Sequence, residues 1–240
     1  YRSLWLLLFS FCVFNVHAQY FKNLGMKDGL SNPSVLAIYQ DTLGRMWFGT
    51  REGVNIYDGK QIKDFKTSIV RKQKVYDHYF PGTEVDRIVG DANGDVFMRV
   101  ERSLVKYDIR KETFYTLRES NVGAVTSCRG EIWCTIRDSL FRYDPDVETL
   151  CFIRKFPFSG ITCILLSDQK LWVGTVHGLY LFEKDVMKTI LPNVEIFRIF
   201  ESSRHELWIA SRMRGLYSIK RDGILRKMPN SKDHVISNQI

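Results

Sequence analysis

The sequence predicts an all-β protein: a β-propeller built of four-stranded antiparallel blades, incomplete in this chain, with five blades and the start of a sixth. Two observations predict this fold. An aromatic residue recurs in one register along the chain, and short runs rich in Val, Ile, Phe, Tyr and Trp alternate with Asp- and Gly-containing turns. The composition, 45% hydrophobic and 26% charged, is that of a folded domain and excludes a disordered or fibrous chain.

The repeat is defined by its aromatic residues, which follow one another at intervals of 50, 36, 39 and 36 residues. They are Trp47, Phe97, Trp133, Trp172 and Trp208. Six residues after each of the first four comes a small residue: Gly53, Ser103, Ser139 or Gly178. Since five copies share one register, we interpret the aromatic residues as structural blade anchors that fill the wedge between adjacent blades, not as parts of an active site.

The first repeat illustrates the four strands. VLAIYQD (35–41), RMWFGT (45–50), VNIYD (54–58) and QIKDFK (61–66) are predicted strands. The turns between them contain Asp41 and Gly44, then Gly53, because Asp bonds nearby backbone amides and Gly accepts a positive φ. Gly49 and Gly174, two residues after their anchors, are expected to permit close approach of a neighbouring backbone.

A single four-stranded sheet has two apolar faces and cannot bury both by itself. A radial stack, in which each sheet covers its neighbour, buries them. The predicted repeats are about 35–66, 84–117, 123–153, 160–191 and 195–228, with the start of a further repeat at 234–240. YFKNL (20–24) is a candidate closing strand whose partner blade would lie beyond residue 240. The chain by itself is therefore expected to expose two unpaired ends.

Residues 1–18 are interpreted as a signal peptide, because Arg2 precedes an apolar run that ends in a small-residue cleavage pattern. An N-terminal membrane anchor is the alternative, although the run is short for a span. The expected location is therefore periplasmic. The net charge of +8 is spread along the chain without a Lys/Arg-dense segment, which argues against a nucleic-acid partner.

Four cysteines follow the predicted cleavage site: Cys128, Cys134, Cys151 and Cys163. Their spacing matches no zinc pattern, so no metal site and no cofactor are predicted. Buried thiols are favoured over a disulfide, which stays open as an alternative. No nucleophile-elbow, metalloprotease, phosphate-loop or kinase motif is present, so no catalytic residue is predicted and the chain is not expected to be an enzyme.

A ligand site is predicted on one face of the propeller, where the turns between second and third strands meet the links between blades. Each of these turns carries a basic or imidazole residue; the set is Arg51, Arg102, Arg137, His177, Arg212 and Arg214. The long link after the first repeat adds Tyr76, His78 and Tyr79. Aromatic rings beside cations suit an anionic or hydroxyl-rich ligand such as an oligosaccharide. The alternative is a solvated loop rim without a ligand.

Four stretches carry a family resemblance: residues 35–59, 28–35, 170–182 and 206–219. They resemble the two-component regulator propeller repeat, which builds the periplasmic sensor region of hybrid two-component histidine kinases of Bacteroidetes type. The resemblance implies a periplasmic ligand sensor that signals to a downstream kinase absent from this chain. It also implies further propeller blades in the full-length protein, a parent anchored in the inner membrane, and a homodimer as one arrangement.

Two other functions stay open at this point. A secreted propeller enzyme, a lyase or a glycan-active one, could assemble its site from distant loops, and a protein-binding scaffold could use the same fold. The sequence past residue 240 would distinguish the sensor from the enzyme and the scaffold, since further blades, a spanning helix and a kinase core would favour the sensor.

Overall fold

The computed structural model describes residues 22–65, 82–184 and 186–229. In these residues five four-stranded antiparallel sheets follow one another along the chain, each with its strands in sequence order. The described residues contain no helix beyond a single 3-10 turn, Met26–Asp28. The prediction of an all-β propeller made of four-stranded blades is confirmed.

The strands have the following bounds. Blade 1 contains β1 Val35–Gln40, β2 Met46–Thr50, β3 Gly53–Tyr57 and β4 Ile62–Phe65. Blade 2 contains β5 Val85–Gly90, β6 Val96–Val100, β7 Ser103–Asp108 and β8 Thr113–Arg118. Blade 3 contains β9 Val122–Cys128, β10 Glu131–Ile136, β11 Ser139–Asp144 and β12 Thr149–Lys155. Blade 4 contains β13 Ile161–Ser167, β14 Lys170–Thr175, β15 Gly178–Glu183 and β16 Val186–Pro192. Blade 5 contains β17 Ile196–Glu201, β18 Leu207–Ser211, β19 Gly215–Ile219 and β20 Leu225–Lys227.

Neighbouring blades meet through their first strands, which lie innermost: β1 contacts β5, β5 contacts β9, β9 contacts β13, and β13 contacts β17. Burial at these seams follows the repeat. Ile88 on β5 packs in one cluster with Trp47 and Ile56 of blade 1, and it is 6% exposed. Apolar burial between successive sheets therefore supplies the main stabilisation of the arc.

The anchor residues lie in these seams. Trp47 and Phe97 are fully buried, and each packs edge-on against a tyrosine of the following blade at 4.9 Å between ring centroids: Tyr107 for Trp47 and Tyr143 for Phe97. Trp172 is buried against blade 5, while Trp133 and Trp208 are half-buried. A ring on one blade and a ring on the next thus interlock at the first two seams.

Asp41 fixes the turn before the first anchor. Its carboxylate accepts hydrogen bonds from the backbone N–H of Leu43 and Arg45, and from Trp47 Nε1 at 2.8 Å. The Arg45 guanidinium pairs with the same carboxylate at 2.7 Å. Burial by itself would raise the pKa of Asp41, but the hydrogen bonds from Trp47 and Arg45 outweigh it and hold the pKa below its usual value. The turn residue and the anchor are therefore one hydrogen-bonded unit.

Two faces of the arc are distinguished by their turns. The turns between second and third strands lie beside the links between blades, because backbone hydrogen bonds join them: Gly53 N–H to Thr83 O, Arg137 N–H to Asn121 O, and Arg212 N–H to Glu195 O. We call this the rim face, made of residues 51–52, 101–102, 137–138, 176–177 and 212–214 with the links. The other turns of each blade form the opposite face.

Gly49 shows why a small residue follows the anchor. A Cβ built on Gly49 would overlap the carbonyl oxygen of Val85, on the first strand of the next blade. At Gly174 the added atom would lie 2.7 Å from Cγ2 of Ile196, again on the next blade. The sequence-based expectation of close backbone approach at these two glycines agrees with this geometry.

The two ends of the arc expose residues that other blades bury. Ile38 on β1 is 63% exposed, whereas Ile88 and Ile164 at the same position of blades 2 and 4 are 6% and 4% exposed. At the other end Phe200 on β17 is also 63% exposed. The counterparts of Phe200, which are Tyr39, Val89 and Leu165, are half-buried. Both end residues are thus more exposed than their counterparts, and these end faces have the chemistry of blade seams.

We expect residues 19–240, expressed alone, to aggregate, and a protein extended through about seven blades to be monodisperse. The reason is that extension covers the apolar side chains of Ile38 and Phe200, which are exposed at the two end faces. Size-exclusion chromatography with light scattering checks this. An equally stable monomer of residues 19–240 would contradict it.

The segment before blade 1 is only partly described. Residues 22–24 do not lie in a strand, and Lys22 Nζ donates a hydrogen bond to the Tyr57 hydroxyl at 3.1 Å. Among the described residues the predicted strand at 20–24 is therefore not formed; its first two residues lie outside the described range. Farther on, Ser31 Oγ bonds Asn55 Oδ1 at 2.8 Å and Thr50 Oγ1 at 2.9 Å, which fastens this segment to blade 1.

All four described cysteines are free thiols. Cys134 and Cys163 are buried, and burial raises the pKa of each thiol to about 12. Cys128 and Cys151 are half-buried. The prediction of thiols in place of a disulfide holds for the described chain, although only two of the four are fully enclosed. The signal peptide predicted at 1–18 and the further repeat predicted at 234–240 lie outside the described residues.

Candidate ligand-binding rim

The turns of the rim face present their predicted basic side chains to solvent. All six residues are exposed: Arg51, Arg102, Arg137, His177, Arg212 and Arg214. The backbone explains this placement, since each of these residues lies in a turn that joins the second and third strands of a blade and therefore projects beyond the packed sheet. The structure brings them to one face, but within its described part no hydrogen bond links one of these side chains to another. Tyr76, His78 and Tyr79 lie outside the described residues.

Acidic neighbours on the rim are engaged elsewhere. Glu101 accepts a hydrogen bond from the Thr83 backbone N–H at 3.0 Å, and Asp138 pairs with Lys155 at 3.3 Å. Of the predicted cations, Arg212 pairs with Glu195 at 3.1 Å. In the described ranges the side chains of Arg51, Arg102 and Arg137 make no ion pair, so their guanidinium donors remain available to a ligand.

A second group of charges lies at the rim end of the inner strands. Arg99 bonds both carboxylate oxygens of Asp86, with Nε to Oδ1 at 2.8 Å, and its Nη1 donates to the carbonyl oxygen of Gly123 on blade 3. Arg198 of blade 5 donates from Nη2 to the backbone carbonyl oxygen of Asp86 at 3.1 Å. Blades 2, 3 and 5 therefore converge on one cluster, which we call the axial cluster: Asp86, Arg99 and Arg198.

The axial cluster is electropositive. Two guanidinium groups face a single carboxylate, and that carboxylate is held by Arg99. Burial lowers the pKa of the Arg198 guanidinium, and the nearby Asp86 carboxylate opposes this shift in part. An arginine stays protonated even so, which leaves a partly desolvated positive charge next to the rim. Such an environment strengthens the attraction for an anionic group.

The axial cluster is not among the residues predicted from the sequence. A signal exists in hindsight: Arg99 stands where Gly49 and Gly174 stand in blades 1 and 4, and Arg198 stands where Ala37 and Cys163 stand. The position of Arg99 is small in blades 1 and 4, while the position of Arg198 is also occupied by an arginine in blade 2, Arg87. The contacts among Asp86, Arg99 and Arg198 depend on how the blades are arranged around the axis, which the sequence pattern alone does not determine.

The motif that carries the first anchor has known counterparts. Residues 29–52 match the family model described as two component regulator propeller. These residues are similar to a two-component regulator propeller repeat. The matched repeat runs from the segment before β1 to the first rim turn, so it includes the Asp41–Trp47 unit and Gly49.

A curated relative and two solved structures resemble the chain. Histidine kinase P4 of Formosa agariphila is 41% identical over 66 residues, which is 26% of this chain and 5% of the kinase. The extracellular domain assigned to a hybrid two component system of B. thetaiotaomicron superposes with a TM-score of 0.64 at 19% identity, covering 88% of this chain and 37% of that one. Virginiamycin B lyase of Staphylococcus aureus gives a TM-score of 0.62 at 15% identity, covering 82% and 71%.

These comparisons differ in what they establish. At such low identity the structural neighbours establish the fold and nothing more, since propellers host unrelated functions. The chain spans 5% of the curated kinase and 37% of the extracellular domain, so it corresponds to a part of each. In the described part of the chain, no helix is long and apolar enough to cross a membrane.

Proposed function

We propose that this propeller is the extracytoplasmic ligand-sensing module of a two-component sensor, and that its rim face binds an oligosaccharide. The observation that carries the proposal is the set of unpaired guanidinium groups on one face, set around the electropositive axial cluster. The two-component regulator propeller repeat at 29–52 and the short stretch of kinase identity support the signalling role.

The chemistry of the rim favours a polar, multivalent ligand. Guanidinium groups present several donors in a planar array, which suits the hydroxyl, carboxylate or sulfate groups of a saccharide. Exposed turns from successive blades are fixed to rigid sheets, so a ligand that touches several turns loses little of its binding energy to protein ordering. In a longer protein, such a ligand would bias the propeller between two signalling states through its different affinity for each.

An enzyme and a scaffold are the alternatives. A lyase with this fold is known among the structural neighbours. The rim, however, offers little for proton transfer, because the His177 side chain makes no hydrogen bond in the described ranges. A sensor or binding role therefore agrees better with the side chains on this face, and a kinase, an inner-membrane anchor and a homodimer are proposed for the parent protein only.

Replacing Tyr76 and Arg137 together by alanine is expected to weaken oligosaccharide binding by about tenfold or more, since hydrogen bonds to charged groups contribute roughly 1.5–3 kcal/mol each. Isothermal titration calorimetry with a panel of neutral and acidic oligosaccharides, on the full-length exported region, measures the loss. The matched control is Arg204→Ala, an exposed arginine in a turn of the opposite face. Unchanged affinity in the double variant, or an equal loss in the control, would discard the rim site.

A further inference from the structure

We propose that the opposite face carries a divalent metal site at the seam of blades 4 and 5, formed by Asp168, Glu201 and His205. The ligand atoms of these three side chains all lie within 4.8 Å of one another. The proposal is independent of the proposed ligand on the rim, because the cluster occupies the other end of the blades.

The fold places the three residues from two blades. Asp168 lies in the turn between β13 and β14, Glu201 is the last residue of β17, and His205 lies in the turn between β17 and β18. β13 and β17 are neighbouring inner strands, so their exits on the opposite face are adjacent. The second turn is held closed by a hydrogen bond from the Ser202 N–H to the Glu206 carbonyl oxygen at 2.9 Å.

One of the two carboxylates in the cluster has no partner among the described residues. His205 Nδ1 lies 3.0 Å from Glu201 Oε1, which partners one carboxylate. The Asp168 side chain makes no hydrogen bond or ion pair with any described residue. The lysines nearby are used by other carboxylates, with Lys170 bound to Glu183 at 3.4 Å and Lys220 to Glu206 at 3.8 Å. A divalent cation would neutralise the two carboxylates at once.

The donor set selects the class of metal. One imidazole nitrogen with two carboxylate oxygens suits Zn²⁺ and similar first-row ions, whereas Ca²⁺ and Mg²⁺ prefer oxygen ligands alone. Donors about 2.0–2.2 Å from one metal lie roughly 3–4 Å from each other, so the observed spacing needs only a small side-chain adjustment. Asp168 and His205 are exposed, so their side chains have room to make it.

The site is open to solvent on two sides. Cavities of about 700 Å³ and 740 Å³ share Asp168, Glu201 and His205 in their walls. Three protein ligands leave at least one coordination position for water, which is the arrangement of an accessible metal site. Because its ligands come from blades 4 and 5, a bound ion would also link the two sheets.

A simple His–Glu ion pair explains two of the three residues but leaves the Asp168 carboxylate beside another negative group without compensation. The metal accounts for all three positions. No short sequence motif reveals such a site, since Asp168 and His205 are separated along the chain by all of β14, β15, β16 and β17.

Zinc uptake by the full-length protein tests the proposal. After removal of metal with a chelator and dialysis against Zn²⁺, elemental analysis is expected to find one Zn²⁺ ion per chain. Asp168→Asn and His205→Ala are each expected to lower the affinity for Zn²⁺ by at least about tenfold. Zn²⁺ should raise the melting temperature of the native protein and not that of these variants.

The matched control is Glu183→Gln, which changes a carboxylate of the same cavity that is already bound to Lys188 at 2.6 Å. It should bind Zn²⁺ as the native protein does, as should the rim variant Arg137→Ala. The triple variant Asp168→Asn, Glu201→Gln, His205→Ala must remain folded by circular dichroism in the absence of metal. Absence of a stoichiometric ion, or native uptake by the triple variant, would overturn the site.

Discussion

Replacing Trp47 by alanine is expected to destabilise the propeller by about 3–5 kcal/mol, the usual cost of emptying a large buried aromatic site. Trp47 is fully buried, packs edge-on against Tyr107 of blade 2, and donates a hydrogen bond to Asp41. The substitution therefore removes apolar burial and a ring contact between blades, and it leaves the buried Asp41 carboxylate with one partner fewer. Urea denaturation measures the loss.

The matched control for this substitution is Phe152→Ala. Phe152 lies on the outer strand of blade 3 and is 60% exposed, so its removal should cost less than about 1 kcal/mol. Equal losses for the two variants would mean that the anchor position has no special role in holding adjacent blades together.

Adding a single methyl group at Gly49 is expected to lower the stability of the protein by the second largest amount. In Gly49→Ala the new Cβ would overlap the carbonyl oxygen of Val85, so blades 1 and 2 must move apart, at a cost of about 1–3 kcal/mol. Because the obstructing atom belongs to the backbone, no side-chain rotation relieves the contact. Thermal and urea unfolding should both report a less stable protein.

Gly25→Ala separates this clash from the general effect of removing a glycine. At Gly25 the added atom meets nothing closer than Asp28 Oδ2 at 4.0 Å, and the backbone is extended there. Loss of glycine flexibility in the unfolded chain should make this variant neutral or more stable, by up to about 1 kcal/mol. The two variants are thus expected to shift stability in opposite directions, and a stabilised Gly49→Ala would show that the seam is not closely packed.

The fold could be predicted because its determinants are local and repeated. Trp47, its upstream Asp41 turn and Gly49 lie within one short stretch, and a similar anchor recurs in each blade. Period-two apolar runs and turn residues then define the strands without knowledge of the neighbouring blade. The partial exposure of Trp208 could not be predicted in this way, because it depends on which blade stands next to it.

The candidate sites were harder to predict because their members are distant in sequence. The exposed arginines of the rim follow from turn positions, and these turns lie on one face. The contact between Arg198 and Asp86 joins blades 5 and 2, and the proposed metal ligands Asp168 and Glu201 join blades 4 and 5. Such contacts between blades result from the radial arrangement of the sheets, whereas a sequence pattern describes one blade at a time.

The residue two places after each anchor has a consequence for the evolutionary history of the protein. It is Gly49 in blade 1, but Arg99 in blade 2 bonds Asp86 and the Gly123 carbonyl, and Thr135 in blade 3 accepts a hydrogen bond from the Ala124 N–H. Gly49 fits the Val85 backbone of blade 2 and Arg99 fits the Gly123 backbone of blade 3, whereas the Thr135 hydrogen bond stays within blade 3. Blades 1 and 2 are thereby each matched to the blade that follows. Duplicating or shuffling single blades would place a guanidinium group where a glycine is needed, so the present order of blades is difficult to rearrange by recombination.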